Sequence, residues 1–219
     1  MNELRFTFLT DGSSDRALMP LLKWLLDVNG VHCAIQAQWA ELGRAPLPNK
    51  PTLTHKIHYA LDLYPCDLLF VHRDAETESR AKRVDEIQRA VEFATKKRVV
   101  IPPYVCVIPV RMQETWLLFD EAAIKQAAGN RHYRDSLHLP SLQSLEDLSD
   151  PKDDLHQRLK QACQLHGRRL RDFPVQQHAQ RVLEFVQDFS PLRVLSAFQA
   201  LEKDIRAAIQ QYNWHQISP

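Results

Sequence analysis

Five carboxylates stand just beyond apolar runs of the chain. They are Asp11 and Asp15 in LTDGSSD, Asp74 and Glu76 in FVHRDAE, and Glu114 in VRMQE. Hard oxygen donors of this kind suit Mg²⁺ or Mn²⁺. Crowded together they repel one another, and a cation relieves that repulsion; two such ions can clamp the attacking and leaving oxygens of a phosphoryl displacement. Each piece also has an ordinary use. Asp-Gly makes turns, Ser13 or Ser14 can cap a helix, and an acid in a first helical turn complements the dipole. Asp74 and Glu76 lie at i, i+2 and point the same way in extended chain, where they could equally line a solvated loop. The metal reading therefore depends on whether the elements of the fold deliver these groups to one place.

Residues 4–10 (LRFTFLT) alternate as a strand, and Leu18, Leu21, Leu22 and Leu25 give 14–28 a helical period. VHCAIQAQW (31–39) alternates strictly, as a strand with one wet face does. A Pro-punctuated loop and a helix carrying Leu53, Ile57 and Leu61 follow. DLLFV (67–71) is continuously apolar, as in a central strand covered on both faces. Val84, Ile87, Val91 and Ala94 make 79–97 an amphipathic helix, and PYVCVIPV (103–110) is a fourth strand. This alternation specifies an α/β fold, a mostly parallel, Rossmann-like sheet with helices on both faces. Beyond it the pattern is helical over 113–127, 153–166, 175–189 and 191–211, with a polar loop at 129–151. The expected organisation is an α/β domain at 1–128 and a helical C-terminal extension at 129–219 packed on it. In open parallel sheets ligands bind at the carboxyl ends of strands. Asp11, Asp15, Asp74, Glu76 and Glu114 all follow strands, so the pattern sends them to one rim.

The composition narrows the class. With 44% hydrophobic and 25% charged residues in 219, the chain can bury an ordinary core, and no apolar run is long enough for a bilayer. MNELRF runs directly into a charged strand, so no signal peptide is expected. Four scattered cysteines have no CxxC spacing that would suggest zinc, and three of them sit in apolar, strand-like surroundings that fit small buried thiols in a reducing cytoplasm. A net charge of +1 imposes no global demand for a nucleic-acid partner, but residues 79–98 and 158–171 are locally basic. These runs are either solvated helix faces or phosphate-tracking surfaces. HRD at 72–74 also occurs in kinase catalytic loops, yet the downstream asparagine and any Gly-rich phosphate loop are missing. The ten histidines are dispersed without metal-ligand spacing and read as surface or core residues.

An acid-Gly turn after the first strand, a second acid four residues on, and an acid-x-acid pair after the central strand resemble the Toprim domain of topoisomerases, primases and overcoming-lysogenization-defect nucleases. RMQETWLLFD (111–120), DPKDDL around Pro151 and SPLRVLSAFQALE near the C-terminus resemble a narrower Toprim-like family, domain of unknown function 4276. Its members are often encoded beside ABC-type ATPases, with suspected roles in phage defence.

The resemblance implies that Asp11 stands where Toprim domains carry a glutamate serving as general acid/base or metal ligand. It implies that Asp15 is the second acid of the nuclease-type motif and that Asp74 and Glu76 form the metal pair. Glu114 belongs to the narrower family's signature. Asp11 and Asp15 are one methylene shorter than the usual glutamates, and Glu76 is one longer than the usual aspartate. The implied activity is Mg²⁺- or Mn²⁺-dependent cleavage of DNA or RNA by a cytoplasmic bacterial protein. Asp11, Glu114 and Arg111 would be catalytic; Asp11, Asp15, Asp74 and Glu76 would hold the metal; Arg73, Arg168 and Arg169 would meet the nucleic acid. An ABC-type ATPase is the expected protein partner, and homo-oligomer formation is left open. The competing expectation is a non-catalytic docking or regulatory subunit of an ATPase complex, with a degenerate site.

Overall fold

Four strands alternate with three helices along the first half of the chain. They are β1 (Glu3–Leu9), β2 (Ala34–Trp39), β3 (Leu68–His72) and β4 (Tyr104–Val107), with α1 (Met19–Val28), α2 (Leu53–Leu63) and α3 (Arg80–Thr95) between them. The computed structural model describes residues 3–96 and 100–216. The strands form one sheet in the order β2-β1-β3-β4, and every pair is parallel. Because side chains alternate along a strand, Leu4, Phe6, Phe8, Leu68, Phe70, Val105 and Val107 face one side of the sheet. Leu9, Leu69, Val71 and Cys106 face the other. β3 is buried at every position, which is why its sequence is an unbroken apolar run; β2, at the sheet edge, alternates between exposed and half-buried positions. The protein is thus an α/β protein whose all-parallel sheet is consistent with a Rossmann-like fold. No helix among the described residues is long and apolar enough to cross a membrane.

The second half adds α4 (Glu121–Ala127), α5 (Pro151–Cys163), α6 (Gly167–Arg171), α7 (Val175–Ala179) and α8 (Ser196–Gln211). These helices share one core with α1 and the first sheet face, while α2 and α3 cover the opposite face in a separate, smaller core. Trp116, fully buried, packs edge-on against Phe198 of α8 with ring centroids 5.9 Å apart. Glu202 on α8 supplies a polar anchor to the same union. It is 5% exposed, accepts three hydrogen bonds from Arg193 (3.3, 3.0 and 2.7 Å) and one from Arg206 (3.0 Å), and is approached by the Asn29 amide at the end of α1 (3.2 Å). Glu202→Ala leaves two guanidinium groups and an amide without their acceptor. It is expected to lower stability by about 2 kcal/mol, read from the urea midpoint.

Several helices are shorter than their apolar period suggests, because polar groups claim the backbone. The period over 14–28 resolves into a 3-10 turn at Ser13–Leu18 followed by α1. The period over 113–127 splits into a 3-10 turn at Gln113–Trp116 and α4, whose Asp120 carboxylate accepts the Ala123 N–H at 2.9 Å and starts a new helix. α7 ends at Ala179, well before 189. α8 starts at Ser196, where Glu146 accepts the Ser196 and Ala197 N–H groups at 3.1 and 2.9 Å. The expected loop at 129–151 contains a 3-10 turn at Leu142–Asp147.

Candidate active site

The carboxyl ends of β1, β3 and β4 carry the site. β1 pairs with β3 through Leu9 and Val71, so the segments beginning at Thr10 and His72 leave the sheet side by side. Beyond β3 the pairing with the β4 segment continues, through the Arg73 N–H to the Val107 carbonyl (3.1 Å) and the Ala75 N–H to the Pro109 carbonyl (3.1 Å). Asp11, Asp15, Asp74 and Glu114 therefore start from one edge of the sheet.

At its centre is a buried chain of three side chains. His72 Nδ1 lies 3.4 Å from Asp15 Oδ2, and His72 Nε2 lies 3.4 Å from Asp74 Oδ1. His72 is 2% exposed and Asp15 is 6% exposed. Burial alone would lower the imidazole pKa, but the flanking carboxylates of Asp15 and Asp74 outweigh it and raise it to about 9. His72 is thus an imidazolium at neutral pH, enclosed between two acids. Burial pushes the Asp15 carboxyl up, but His72 and hydrogen bonds from Gly12 and Ser14 bring it below the ordinary value. Those bonds are the Gly12 N–H to Oδ2 (3.0 Å) and the Ser14 hydroxyl to Oδ1 (3.0 Å). Asp74 Oδ1 is buried and has no aligned hydrogen bond, only the ion pair with His72. Its side chain is 32% exposed overall, which leaves room for a ligand.

Glu114, at the start of the turn after β4, is also buried, and its carboxyl pKa is raised, first by burial and further by the negative charges of Asp74 and Asp15. A cavity of ≈ 10 Å³ beside it, room for about one water molecule, is lined by Ser14, Gln113, Lys152 and His156. Gln113 Oε1 and His156 Nε2 are buried there without a hydrogen bond among the described residues.

The remaining acids are tied elsewhere. Asp11 is 40% exposed and holds two cations, Lys56 Nζ at 2.7 Å and Arg73 Nη1 at 2.8 Å; Arg73 also reaches Glu86 at 3.0 Å. The guanidinium of Arg73 therefore braces Asp11 against α3. Glu76 departs from the extended geometry expected of it. Its φ of 54° is left-handed, its N–H donates to the Arg111 carbonyl at 2.7 Å, and its carboxylate turns out to Arg83 at 2.9 Å. It does not project beside Asp74. Arg111, itself at φ 57°, shares with Glu76 a groove lined also by Glu78, Glu146 and Ser196. Two left-handed non-glycine residues joined by one hydrogen bond mark this loop pair as strained.

Arg168 and Arg169 lie on α6, exposed and away from this cavity. The basic run of α3 is largely paired off within the fold: Arg80 with Asp204, Lys82 with Glu78, Arg83 with Glu76 and Glu86, and Arg89 with Asp85. Lys97 and Arg98, which the basic segment 79–98 includes, lie outside the described residues. All four cysteines are free thiols.

His72, Lys56, Lys152 and His156 join the site although no local pattern assigned them to it. His72 ends an apolar strand and looks like an ordinary core histidine; only the two acids that flank it in space distinguish it. Among the described residues, no three His, Cys, Asp or Glu side chains form a ready-made metal-ligand group. The donor chemistry nonetheless fits a hard cation at Asp74, whose side chain is 32% exposed although its Oδ1 faces His72, beside the negative charges that add to burial in raising the Glu114 pKa. Compared with protein-family models, curated proteins and solved structures, the chain matches none of them. The class that the fold and site define is an α/β protein with an acidic rim at the carboxyl ends of a parallel sheet.

Proposed function

We propose that the protein is a Toprim-like, divalent-metal-dependent nuclease that cleaves phosphodiester bonds of DNA or RNA, working in the cytoplasm with an ABC-type ATPase partner in a bacterial defence-type system. The observation that carries this reading is the convergence of Asp11, Asp15, Asp74 and Glu114 on one edge of a parallel sheet, with the Asp74 side chain 32% exposed there. Asp74 would hold Mg²⁺ or Mn²⁺ at this rim. When bound, the ion supplies Lewis-acid polarisation of the phosphate and a more acidic water. His72, fixed by Asp15, orients Asp74. Arg73 and Lys56 set the position of Asp11, whose exposed carboxylate is the group that accepts a proton. Glu114, whose carboxyl pKa is raised first by burial, would be the general acid beside the one-water cavity. Arg111 meets charge that develops on the phosphate.

Mg²⁺ or Mn²⁺ is expected to raise the melting temperature of the wild type, and to do so less for Asp74→Ala, because a ligand that binds only the native state stabilises it by linkage. Equal shifts in both proteins would make the rim an ordinary solvated surface. The function itself is tested by incubating DNA and RNA with the chain alone, with a co-purified ATPase partner, and with that partner plus Asp74→Ala chain. Cleavage is expected to be weak for the chain alone and to appear in the complex, since a net charge of +1 supplies little electrostatic drive toward a polyanion. Cleavage that persists in Asp74→Ala refutes the assignment. A second reading, a docking or regulatory subunit with a degenerate site, draws support from Asp11 being held by two cations and Glu76 by Arg83. That reading wins if the complex never cleaves.

A further inference from the structure

Helix α5 joins the acidic rim to a second charged surface. Lys152 and His156 in its first turns line the cavity beside Glu114. Lys160 follows at the same spacing, so these three side chains share one face of the helix. Lys152 and Lys160 crowd His156 closely enough that, after burial, their charges are what lower its pKa. The chain leaves α5 through Gln164 in a left-handed conformation (φ 53°) and turns into α6, where Arg168, Arg169 and Arg171 are exposed.

A distant loop arrives at the same place. The Asn130 amide donates to the Ala162 carbonyl at 3.0 Å and to Gln164 Oε1 at 3.1 Å. The Gln161 amide donates to the Tyr133 hydroxyl and to the Ser136 carbonyl, each at 3.3 Å. These bonds hold the exposed Arg131 and Arg134 against the end of α5 that leads into the α6 arginines. The cations there are barely neutralised, unlike those of α3. Arg168 pairs with Asp172 at 3.5 Å, whereas Arg131, Arg134, Lys160, Arg169 and Arg171 have no ion pair among the described residues.

We infer that this composite surface binds the phosphate backbone of a nucleic acid, and that α5 sets the distance from the bound backbone to the acidic rim. The inference rests on the nuclease reading only for the position of the cleaved bond. α5 has 13 residues, which at about 1.5 Å each separate rim and surface by about 20 Å. That is roughly six nucleotides of a stacked strand at about 3.4 Å each. Arginine dominates the surface, and its fork meets phosphate oxygens in pairs. An acidic protein is the poorer fit. Protein interfaces rely on buried apolar anchors, and none of the exposed large apolar side chains, Val28, Leu63, Phe93, Val100, Val194 and Tyr212, lies in 130–136 or 160–171.

The test is fluorescence anisotropy in EDTA, with labelled single-stranded DNA and RNA of about 3 and about 20 nucleotides, lengths on either side of the span of α5. Wild type, the pair Arg131→Ala/Arg134→Ala and the triple Arg168→Ala/Arg169→Ala/Arg171→Ala are compared. Both arginine variants are expected to bind the longer strand about tenfold more weakly or worse. The slope of log K against log salt should fall by about 0.7 for each single-strand phosphate that the variant no longer neutralises. The shorter strand should bind weakly to every protein. Unchanged affinity in either arginine variant overturns the composite surface. A polyglutamate chain that competes as well as nucleic acid of equal charge reassigns it to an acidic protein. A chain that binds in this pattern yet never cleaves keeps the surface and loses the nuclease reading, and a chain that cleaves without this pattern does the reverse.

Discussion

His72→Gln is expected to destabilise the protein at neutral pH by on the order of 3 kcal/mol, seen as a lower urea midpoint with the denaturant slope unchanged. The imidazolium sits between Asp15 and Asp74 with almost no access to water. Glutamine fills much of the same space but carries no charge, so two enclosed carboxylates would be left facing each other. The effect should depend on pH in a defined direction. The folded pKa of His72, about 9, lies above its ordinary value of 6.5. Its contribution is therefore complete below 6.5 and is lost as pH rises through about 9, a change of about 3 kcal/mol. Asp15 acts in the opposite sense. Its folded pKa lies below the ordinary 3.8, so its contribution is present above that value and is lost as the solution becomes more acid. Denaturation of wild type and His72→Gln across this range should show a stability gap that closes on the alkaline side. A gap that stays constant to well above pH 9 would mean that His72 is neutral in the fold.

In the partner complex, Asp74→Asn is expected to lower the metal-dependent cleavage rate by roughly 100-fold or more. Asparagine keeps the shape of the side chain and removes its charge, so the effect reports ion binding rather than a cavity. Asp15 acts on the site through His72 and through its charge near Glu114, without holding the ion, and Asp15→Asn should cost less, about tenfold. Glu76→Ala should have little effect, because its carboxylate is 69% exposed and points to Arg83. The expected order of severity is therefore Asp74, Asp15, Glu76, measured as initial rates at saturating Mg²⁺. Glu76→Ala as damaging as Asp74→Asn would show that the loop leaves its left-handed conformation when substrate binds, and that the acid-x-acid pair works in extended form.

What could be read from the residues in order was the architecture and the location of the rim. The unbroken apolar run of β3 and the alternation of β2 report how many faces of each strand are covered, because side-chain direction alternates strictly along a strand. Helical crossovers between strands make them parallel, and parallel strands end on the same side, so acids that follow strands must gather there. The leucine period of α1 and the amphipathic stripe of α8 likewise mark which faces enter the core, though not where capping groups such as Asp120 and Glu146 cut the helices short.

The tertiary structure decided everything that depends on partners distant in sequence. Strand order put β1 beside β3, and that adjacency turned His72 into a cation between Asp15 and Asp74 rather than one more core histidine. The bond from the Glu76 N–H to the Arg111 carbonyl reversed the backbone of Glu76 and took its carboxylate out of the acid pair that its spacing suggested. α3 had its basic character cancelled by acids on its own turns and on α8, while two weaker basic segments met at the end of α5 and kept theirs. The physical reason is the same in each case. Periodicity specifies the face on which a side chain leaves its element, but its charge state, its orientation and its freedom to bind are set by the groups that packing brings within a few ångströms of it.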